Sequence, residues 1–297
     1  MNSSVPSPRR WIRKGPSIAD VLLLAVVPVV LVSVYTLPAG TREALVFRYA
    51  DPALPTAFAA PFVHLDASHL LFNLTAYGLI VGAIYVLSRV SGRRGEFRVV
   101  FVSLLLAGPP VLSYLNLTIV RLGVTYGFSG VLMAFYGYLP LSIAEYLDSR
   151  LRIGQFRTLA PLLFFVGLLL VTIQTLRAVL DHPVTVAVDG SPASVTWVLV
   201  ATLAELLVVL SLVVALYALS ITDGEPIGQQ LRHAVGQSGA FEFAIGTLIL
   251  FLTVPFATFP ADPVSGTRVV NLYVHAVGYG LGFISSYLYY VLGRTES

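Results

Sequence analysis

Long apolar runs separated by short polar segments dominate this chain. Eight of these runs are long enough to cross about 30 Å of hydrocarbon as helices, at about 1.5 Å per residue. They occupy residues 18–37, 66–88, 98–115, 128–146, 159–180, 196–221, 241–260 and 269–293. The pattern predicts an all-α polytopic membrane protein with about eight membrane helices.

The composition agrees with this pattern and excludes several functions. Hydrophobic residues make up 57% of the 297 positions and charged residues 11%, whereas a soluble domain carries about 25% charged residues. The basic residues lie in short clusters between apolar runs, so we expect a lipid bilayer and not nucleic acid as the partner. The chain has no cysteine, which excludes disulfides, thiolate metal sites and a cysteine nucleophile.

The distribution of positive charge predicts the orientation. Thirteen of the 18 lysines and arginines fall in segments on one side of the predicted membrane, and that side is expected to be cytoplasmic. Both termini are then cytoplasmic, in a multi-pass plasma membrane protein of a prokaryote. We expect residues 1–17 to form a polar tail anchored by Trp11, residues 18–293 a single membrane domain, and residues 294–297 a short second tail.

Four polar residues stand out because a polar group inside a membrane is costly unless it is paired. His69 and Asn73 lie one turn apart in the second run, Ser129 begins the fourth, and His275 lies about two turns into the eighth. The predicted topology places all four near the outer ends of their helices. Ser129 reaches the depth of His275 only if the loop 116–128 dips inward, so we expect this loop to be buried in protein.

Ser129 lies within the string Gly127-Phe128-Ser129-Gly130. The glycines permit a tight turn into a helix and let a substrate backbone approach the hydroxyl. At a helix N-terminus the N–H of the serine is free and the helix dipole favours a developing oxyanion. Taken alone, the string is weak evidence, because a serine cap beside small packing residues explains it better.

Small residues surround both Ser129 and His275 at helical spacing. Gly278 and Gly282 follow His275 at i+3 and i+7 and share its face. The fourth run carries a matching stripe, Gly130, Ala134 and Gly137. We therefore expect the two helices to touch, with serine and histidine at one end of the seam. The alternative for a lone membrane histidine is an interhelical hydrogen bond.

His69 and Asn73 project from one helix face, and both can donate to an oxyanion. Structural hydrogen bonding between helices is the alternative. Asp66 and Ser68 are predicted as helix caps, and His64 as a structural or pH-sensing residue near the entrance. No metal site is expected at His64, Asp66 and His69, because their spacing is not that of His-Glu-x-x-His and no aspartate-rich signature follows.

Three strings together resemble the rhomboid family of intramembrane serine proteases. They are His69-Leu-Leu-Phe-Asn73, Gly127-Phe128-Ser129-Gly130 and His275-Ala-Val-Gly278-Tyr-Gly-Leu-Gly282, and the resemblance covers about 18–146 and 241–293. It implies a six-helix core and a dyad of Ser129 and His275 without a third acid. It further implies His69 and Asn73 as oxyanion donors, no cofactor, and single-span or polytopic membrane proteins as substrates, cut near the outer face.

The chain departs from the family pattern in three places. Three runs separate the serine helix from the histidine helix where the family has one, so we assign an inserted hairpin to about 159–221 and the substrate gate to 241–260. Phe47-Arg48 stands where many relatives carry Trp-Arg in the first outer loop. Met133 stands where an aromatic residue often stacks on the base, and a sulfur–ring contact is the expected substitute.

Glu205 lies deep in the inserted hairpin and would be expensive unpaired. Gln174 and Arg177 on the preceding run are its expected partners, and we interpret the three as structural. Two other functions stay open at this point. One is a catalytically inactive rhomboid-like binder of membrane proteins, and the other is a transporter with an ion path at Glu205.

Overall fold

The computed structural model describes residues 15–119, 123–188, 191–221, 227–237, 239–260, 264–265 and 268–295. The predicted tail 1–17, with Trp11, lies almost entirely outside these ranges, as does the end of the second tail. The helices are α1 (Ile18–Tyr35), α2 (Ala39–Ala44), α3 (Leu54–Ala59), α4 (Ala67–Val90), α5 (Arg94–Leu115), α6 (Ser129–Tyr146), α7 (Phe156–Asp181), α8 (Thr196–Ser220), α9 (Ile227–Val235), α10 (Ala240–Thr258) and α11 (Leu272–Thr295).

Short non-α elements connect these helices. Two 3₁₀ segments, Ala60–Phe62 and Asn116–Thr118, and a π-helical turn, Leu147–Leu151, extend or precede them. The described strands form antiparallel pairs: β1 (Phe47–Arg48) with β2 (Val124–Thr125), β3 (Thr185–Val188) with β4 (Ser191–Ser194), and β5 (Val264–Ser265) with β6 (Arg268–Val269). The strands are too short to form a core, so the chain is an all-α protein.

Seven helices in the described part of the chain are long and apolar enough to cross a membrane: α1, α4, α5, α6, α7, α8 and α10. The prediction of an all-α, multi-pass membrane protein is confirmed. The eighth predicted helix exists as α11, with 24 residues, but it is not among these seven. Its place as an eighth membrane helix stays a prediction.

Helix α6 lies at the centre of the molecule. Every residue from Gly130 to Tyr146 is buried, and α4, α5, α7, α10 and α11 all pack against it. These neighbours fix the position of α6 in the bundle. Its first residue, Ser129, is only partly buried.

The closest neighbour of α6 is α11, and glycines make the approach possible. A Cβ atom added at Gly278 would collide with the carbonyl oxygen of Gly130, and one at Gly282 would collide with the backbone of Ala134. Reciprocally, a Cβ at Gly137 would collide with the carbonyl oxygen of Tyr279. The two backbones are therefore in direct contact along the seam, which fixes the start of α11 against the start of α6.

Helices α7 and α8 form the hairpin that the sequence assigns as an insertion. They pack on each other, but their burial differs. Helix α7 packs into the core, where the hydroxyl of Tyr279 donates to the carbonyl of Phe164 at 2.9 Å. Helix α8 has only two buried residues, Thr196 and Leu210. Only the first helix of the hairpin therefore belongs to the packed core.

The first outer loop is tied to the loop that precedes Ser129. Phe47 pairs with Thr125 and Arg48 with Val124, and the ring of Phe47 is fully buried. Phe47-Arg48 thus serves as a strand. The loop 116–128 was expected to be buried in protein. Among its described residues only Asn116 and Phe128 are buried, whereas Gly123 and Val124 are exposed, so the expectation was wrong for the middle of the loop.

A buried carboxylate links α1 to α4 and α5 at the end of the bundle opposite Ser129. Asp20 is fully buried and pairs with Arg94 at 2.7 Å and Arg98 at 2.6 Å. The hydroxyl of Tyr85 donates to the same carboxylate at 2.8 Å. These ion pairs and the hydrogen bond offset much of the free energy cost of desolvating the carboxylate.

Candidate active site

Three helix starts meet at one end of the bundle and carry the predicted site residues. His69 lies in the first turn of α4, where the Asp66 carboxylate caps the helix by accepting from the His69 N–H at 2.8 Å. Ser129 is the first residue of α6. His275 lies in the first turn of α11, which begins at Leu272. The prediction of a position two turns into that helix was wrong, because residues 268–269 form β6 instead.

Ser129 and His275 are in hydrogen-bond contact. The Nε2 atom of His275 lies 2.8 Å from the Oγ atom of Ser129, and the imidazole is buried. The Nδ1 atom lies 2.8 Å from the carbonyl oxygen of Thr258, at the end of α10. A carbonyl can only accept, so Nδ1 carries the proton and Nε2 is free to accept the serine proton. This is the tautomer that a general base requires.

An aromatic ring packs against the imidazole, but it comes from α10. The ring of Phe259 lies edge-on to His275, with centroids 5.6 Å apart. Sequence reasoning expected Met133 in this role, and the structure places Met133 fully buried within α6. The carbonyl of Phe259 in turn accepts from the Nε2 atom of Gln174 at 3.3 Å. Nothing in the sequence pattern links these residues.

Gly127 brings His69 beside the nucleophile. Its φ of +101° is in a region that other residues rarely adopt, and its N–H donates to the carbonyl of Ala60 at 3.0 Å. A Cβ at this position would lie 2.5 Å from the Cε1 atom of His69. Only glycine therefore lets the imidazole lie over the loop next to Ser129.

Asn73 lies behind His69 and is fully buried. Its Nδ2 atom lies 2.9 Å from the Nε2 atom of His64 and 3.1 Å from the carbonyl oxygen of His69. An amide nitrogen only donates, so the Nε2 atom of His64 is the acceptor. The structure thus brings His69 to the site directly, and it holds Asn73 in a hydrogen bond with a second histidine.

His64 is fully buried, just before α4. Burial lowers its pKa to about 4, and the neighbouring His69 acts in the same direction. The ring is therefore neutral near pH 7, as its bond with Asn73 requires. The described residues include no group of three or more His, Cys, Asp or Glu side chains placed to hold a metal ion.

A cavity of about 620 Å³ opens over the dyad. His69, Ser129 and His275 line it, together with apolar and aromatic side chains and two asparagines. Sequence reasoning missed these asparagines. Asn271 donates to Asn116 at 2.9 Å and accepts from the Val274 N–H at 3.2 Å, as a cap of α11. An asparagine before a helix is a recognised cap signal, but the helix was expected to begin earlier.

Glu205 is not part of this site or of the expected trio. Gln174 and Arg177 do contact each other, at 3.3 Å, but Glu205 is exposed on α8. In the part of the chain that the structure describes, no ion pair joins Glu205 to Arg177. The expected trio was wrong, because Gln174 is buried and Glu205 is exposed.

The geometry provides what acyl transfer needs. A serine hydroxyl contacts a correctly protonated imidazole, and the first N–H groups of α6 are without intrahelical partners beside it. A scan of protein-family models found no match to the chain, and searches of curated proteins and of solved structures found none either. What the site can do is therefore inferred from its own residues.

Proposed function

We propose that this chain is an intramembrane serine endopeptidase of the rhomboid type, which cleaves membrane-spanning segments of other proteins. One observation carries the proposal. The Nε2 atom of His275 lies 2.8 Å from the Oγ atom of Ser129, within a cavity of about 620 Å³ at the end of a bundle of apolar helices. A polar pair at such a position is a functional site by default.

The mechanism follows from the tautomer of His275. The Oγ atom of Ser129 attacks the scissile carbonyl carbon, and the Nε2 atom of His275 takes the hydroxyl proton. The Thr258 carbonyl stabilises the resulting imidazolium through Nδ1–H. His275 then passes its proton to the leaving amine. Water attacks the acyl-serine ester, with His275 again taking the proton, and the acid product leaves as Ser129 regains its hydrogen.

The oxyanion is stabilised by the N–H of Ser129 and by His69. Both lie at the wall of the cavity, since His69 packs over Gly127. Asn73 would serve as a donor only by exchanging its hydrogen bond with His64 for one with the substrate oxygen. We therefore assign Asn73 a smaller share of this stabilisation than His69.

The cavity accepts an unwound segment and not an intact helix. Its volume of about 620 Å³ holds a few residues, whereas a helix with its side chains is about 10–12 Å across. The walls include the apolar side chains of Leu112, Val131 and Val274. The substrate is a membrane-spanning segment that unwinds locally near the outer face, which is the end of the bundle that carries the site.

The proposal is tested by proteolysis in reconstituted liposomes. The protein is incubated with single-span reporter segments that carry helix-breaking residues near one end, and fragments are identified by mass spectrometry. We expect cleavage by the wild type, and none by Ser129→Ala or His275→Ala. Ser142→Ala is the matched control, since Ser142 is a buried serine on the same helix and should leave cleavage intact. Cleavage that survives in Ser129→Ala contradicts the proposal.

A further inference from the structure

Gln174 is a buried amide on α7, the helix that a six-helix core would not contain. It is 4% exposed, and both ends of its amide group are in use. The Oε1 atom accepts from Arg177 at 3.3 Å, and the Nε2 atom donates to the carbonyl of Phe259 at 3.3 Å. A buried amide in an apolar core is stable only where its hydrogen bonds offset the free energy cost of removing it from water.

The carbonyl that Gln174 binds is next to the carbonyl that binds the base. Thr258 ends α10, and its carbonyl is among the last four of the helix, which lack intrahelical donors. It is therefore able to accept from the Nδ1 atom of His275. Phe259 follows directly, with its carbonyl on Gln174 and its ring against the imidazole.

The hydrogen bond from Gln174 helps to hold the end of helix α10, because much of this helix is not buried. Six of its 19 residues are buried, so most of the helix surface faces away from the core. The hydroxyl of Tyr136 holds its middle by donating to the carbonyl of Phe251 at 2.8 Å. At its end, the buried side chain of Gln174 reaches the carbonyl beside Thr258. Displacement of this end by about 1 Å would break a hydrogen bond of 2.8 Å.

We propose that Gln174 is a positioning residue for the general base. It holds the end of α10 so that the Thr258 carbonyl keeps the proton on Nδ1 and leaves Nε2 to accept from Ser129. Helix α7 is thereby part of the catalytic architecture. The inference rests on the proposed peptidase function, and it adds a source of base orientation that the Ser–His dyad itself does not contain.

The imidazole has two neutral tautomers, and only one is competent. If the Thr258 carbonyl moves away, the proton can sit on Nε2 instead, which then donates to the serine and cannot take its proton. In serine proteases the orientation of the histidine by its partner has a large effect on rate. Loss of a partner behind a functional histidine costs roughly 10–100-fold in metal sites, where the same geometry recurs.

The test replaces Gln174 with methionine, which keeps length and volume but has no donor. The rate at which Ser129 reacts with a fluorophosphonate probe measures the dyad without any substrate. We expect a loss of about tenfold or more in Gln174→Met. The matched control is Thr172→Val, because Thr172 is buried on the same helix and its hydroxyl donates only to Leu168 of that helix. The control should react at the wild-type rate.

A second readout does not depend on activity. The ¹⁵N resonances of the histidine rings, with His275 assigned by its loss in His275→Ala, report which nitrogen carries the proton. We expect Nδ1–H in the wild type and in Thr172→Val, and a mixed population in Gln174→Met. A variant that merely loosens packing would lower the melting temperature without moving these resonances.

The outcomes separate the two proposals. A reactive wild type with an equally reactive Gln174→Met overturns the positioning role alone. A wild type that reacts with the probe no faster than Ser129→Ala overturns the peptidase function. In that case the ¹⁵N resonances still test the positioning role, and an unchanged His275 tautomer in Gln174→Met overturns it. If Gln174→Met does not fold, Gln174→Asn retains a polar amide but shortens its reach. Full reactivity in Gln174→Asn would contradict the inference.

Discussion

The Nδ1 atom of His275 lies 2.8 Å from the carbonyl oxygen of Thr258, and this contact decides which imidazole nitrogen can accept a proton. A carboxylate performs this task in the usual serine protease triad. A neutral carbonyl avoids burying a further charge among apolar helices. It also makes the orientation of His275 dependent on the position of α10, since the acceptor belongs to that helix and not to the helix of His275.

The first prediction concerns the glycine beneath His69. Gly127→Ala should lower the reaction rate of Ser129 with a fluorophosphonate by up to about 10²–10³-fold, because the new methyl group would displace His69, the proposed oxyanion donor. Gly123→Ala is the control, since Gly123 lies in the same loop with a φ of +114° but has open space around it. Backbone strain is common to both variants, so equal losses in the two would contradict the role assigned to His69.

The second prediction concerns the seam between α6 and α11. Gly282→Ala should lower the melting temperature in detergent markedly, because the methyl group meets the backbone of Ala134 and overpacking costs about 1–3 kcal/mol or more. Gly280→Ala, on the same helix, meets nothing within 4 Å and should be neutral or slightly stabilising. The same melting temperature in the two variants would mean that the helices are not in backbone contact.

The third prediction concerns pH and His64. Its pKa is lowered by burial from 6.5 to about 4, so in this window the unfolded chain binds the proton and the folded protein does not. The contribution of neutral His64 to the free energy of unfolding is therefore fully present above about pH 6.5, and it is lost as the pH falls toward 4. Melting temperatures measured across this range should fall less steeply for His64→Gln than for the wild type.

The control for this titration is His182→Gln, because His182 is exposed. Its replacement should leave the slope of melting temperature against pH unchanged. A slope that His64→Gln does not reduce would place the acid sensitivity of the fold elsewhere.

The fourth prediction concerns the buried carboxylate of Asp20. Asp20→Ala should destabilise the protein, by up to about 3–5 kcal/mol, because Arg94 and Arg98 lose their partner. The side chains of these arginines are 39% and 40% exposed, so solvent reduces the loss below that limit. Thermal unfolding measures the effect, with Glu43→Gln as an exposed control. Equal melting temperatures in the two variants would show that the cluster does not hold α1 to the bundle.

Local sequence signals predict the start of α6, although they place the start of α11 too early. Ser129 begins α6 as expected, because a glycine-flanked serine before an apolar run favours a helix start. The contact between α6 and α11 was also predicted from the sequence, since glycines at i+3 and i+7 after His275 favour close approach of a neighbouring helix. The all-α membrane fold follows from the apolar run lengths alone.

Contacts made by backbone atoms and by distant residues could not be predicted. Thr258 acts through its carbonyl, which every residue possesses, so no side-chain pattern marks it. Phe259 and Gln174 are 85 residues apart in their hydrogen bond, and their meeting depends on how α7 and α10 pack. Glu205 was expected to pair with residues of α7, but it is exposed, and a run that is apolar on all sides does not indicate which face of α8 packs against α7.

In the proposed mechanism His275 activates Ser129 as a nucleophile. The most direct measurement treats the purified protein in detergent with a fluorophosphonate and maps the adduct by mass spectrometry. We predict a single adduct on Ser129 in the wild type and in Ser142→Ala, and none in Ser129→Ala or His275→Ala. Absence of the adduct from the wild type, or labelling that persists undiminished in His275→Ala, would contradict the account.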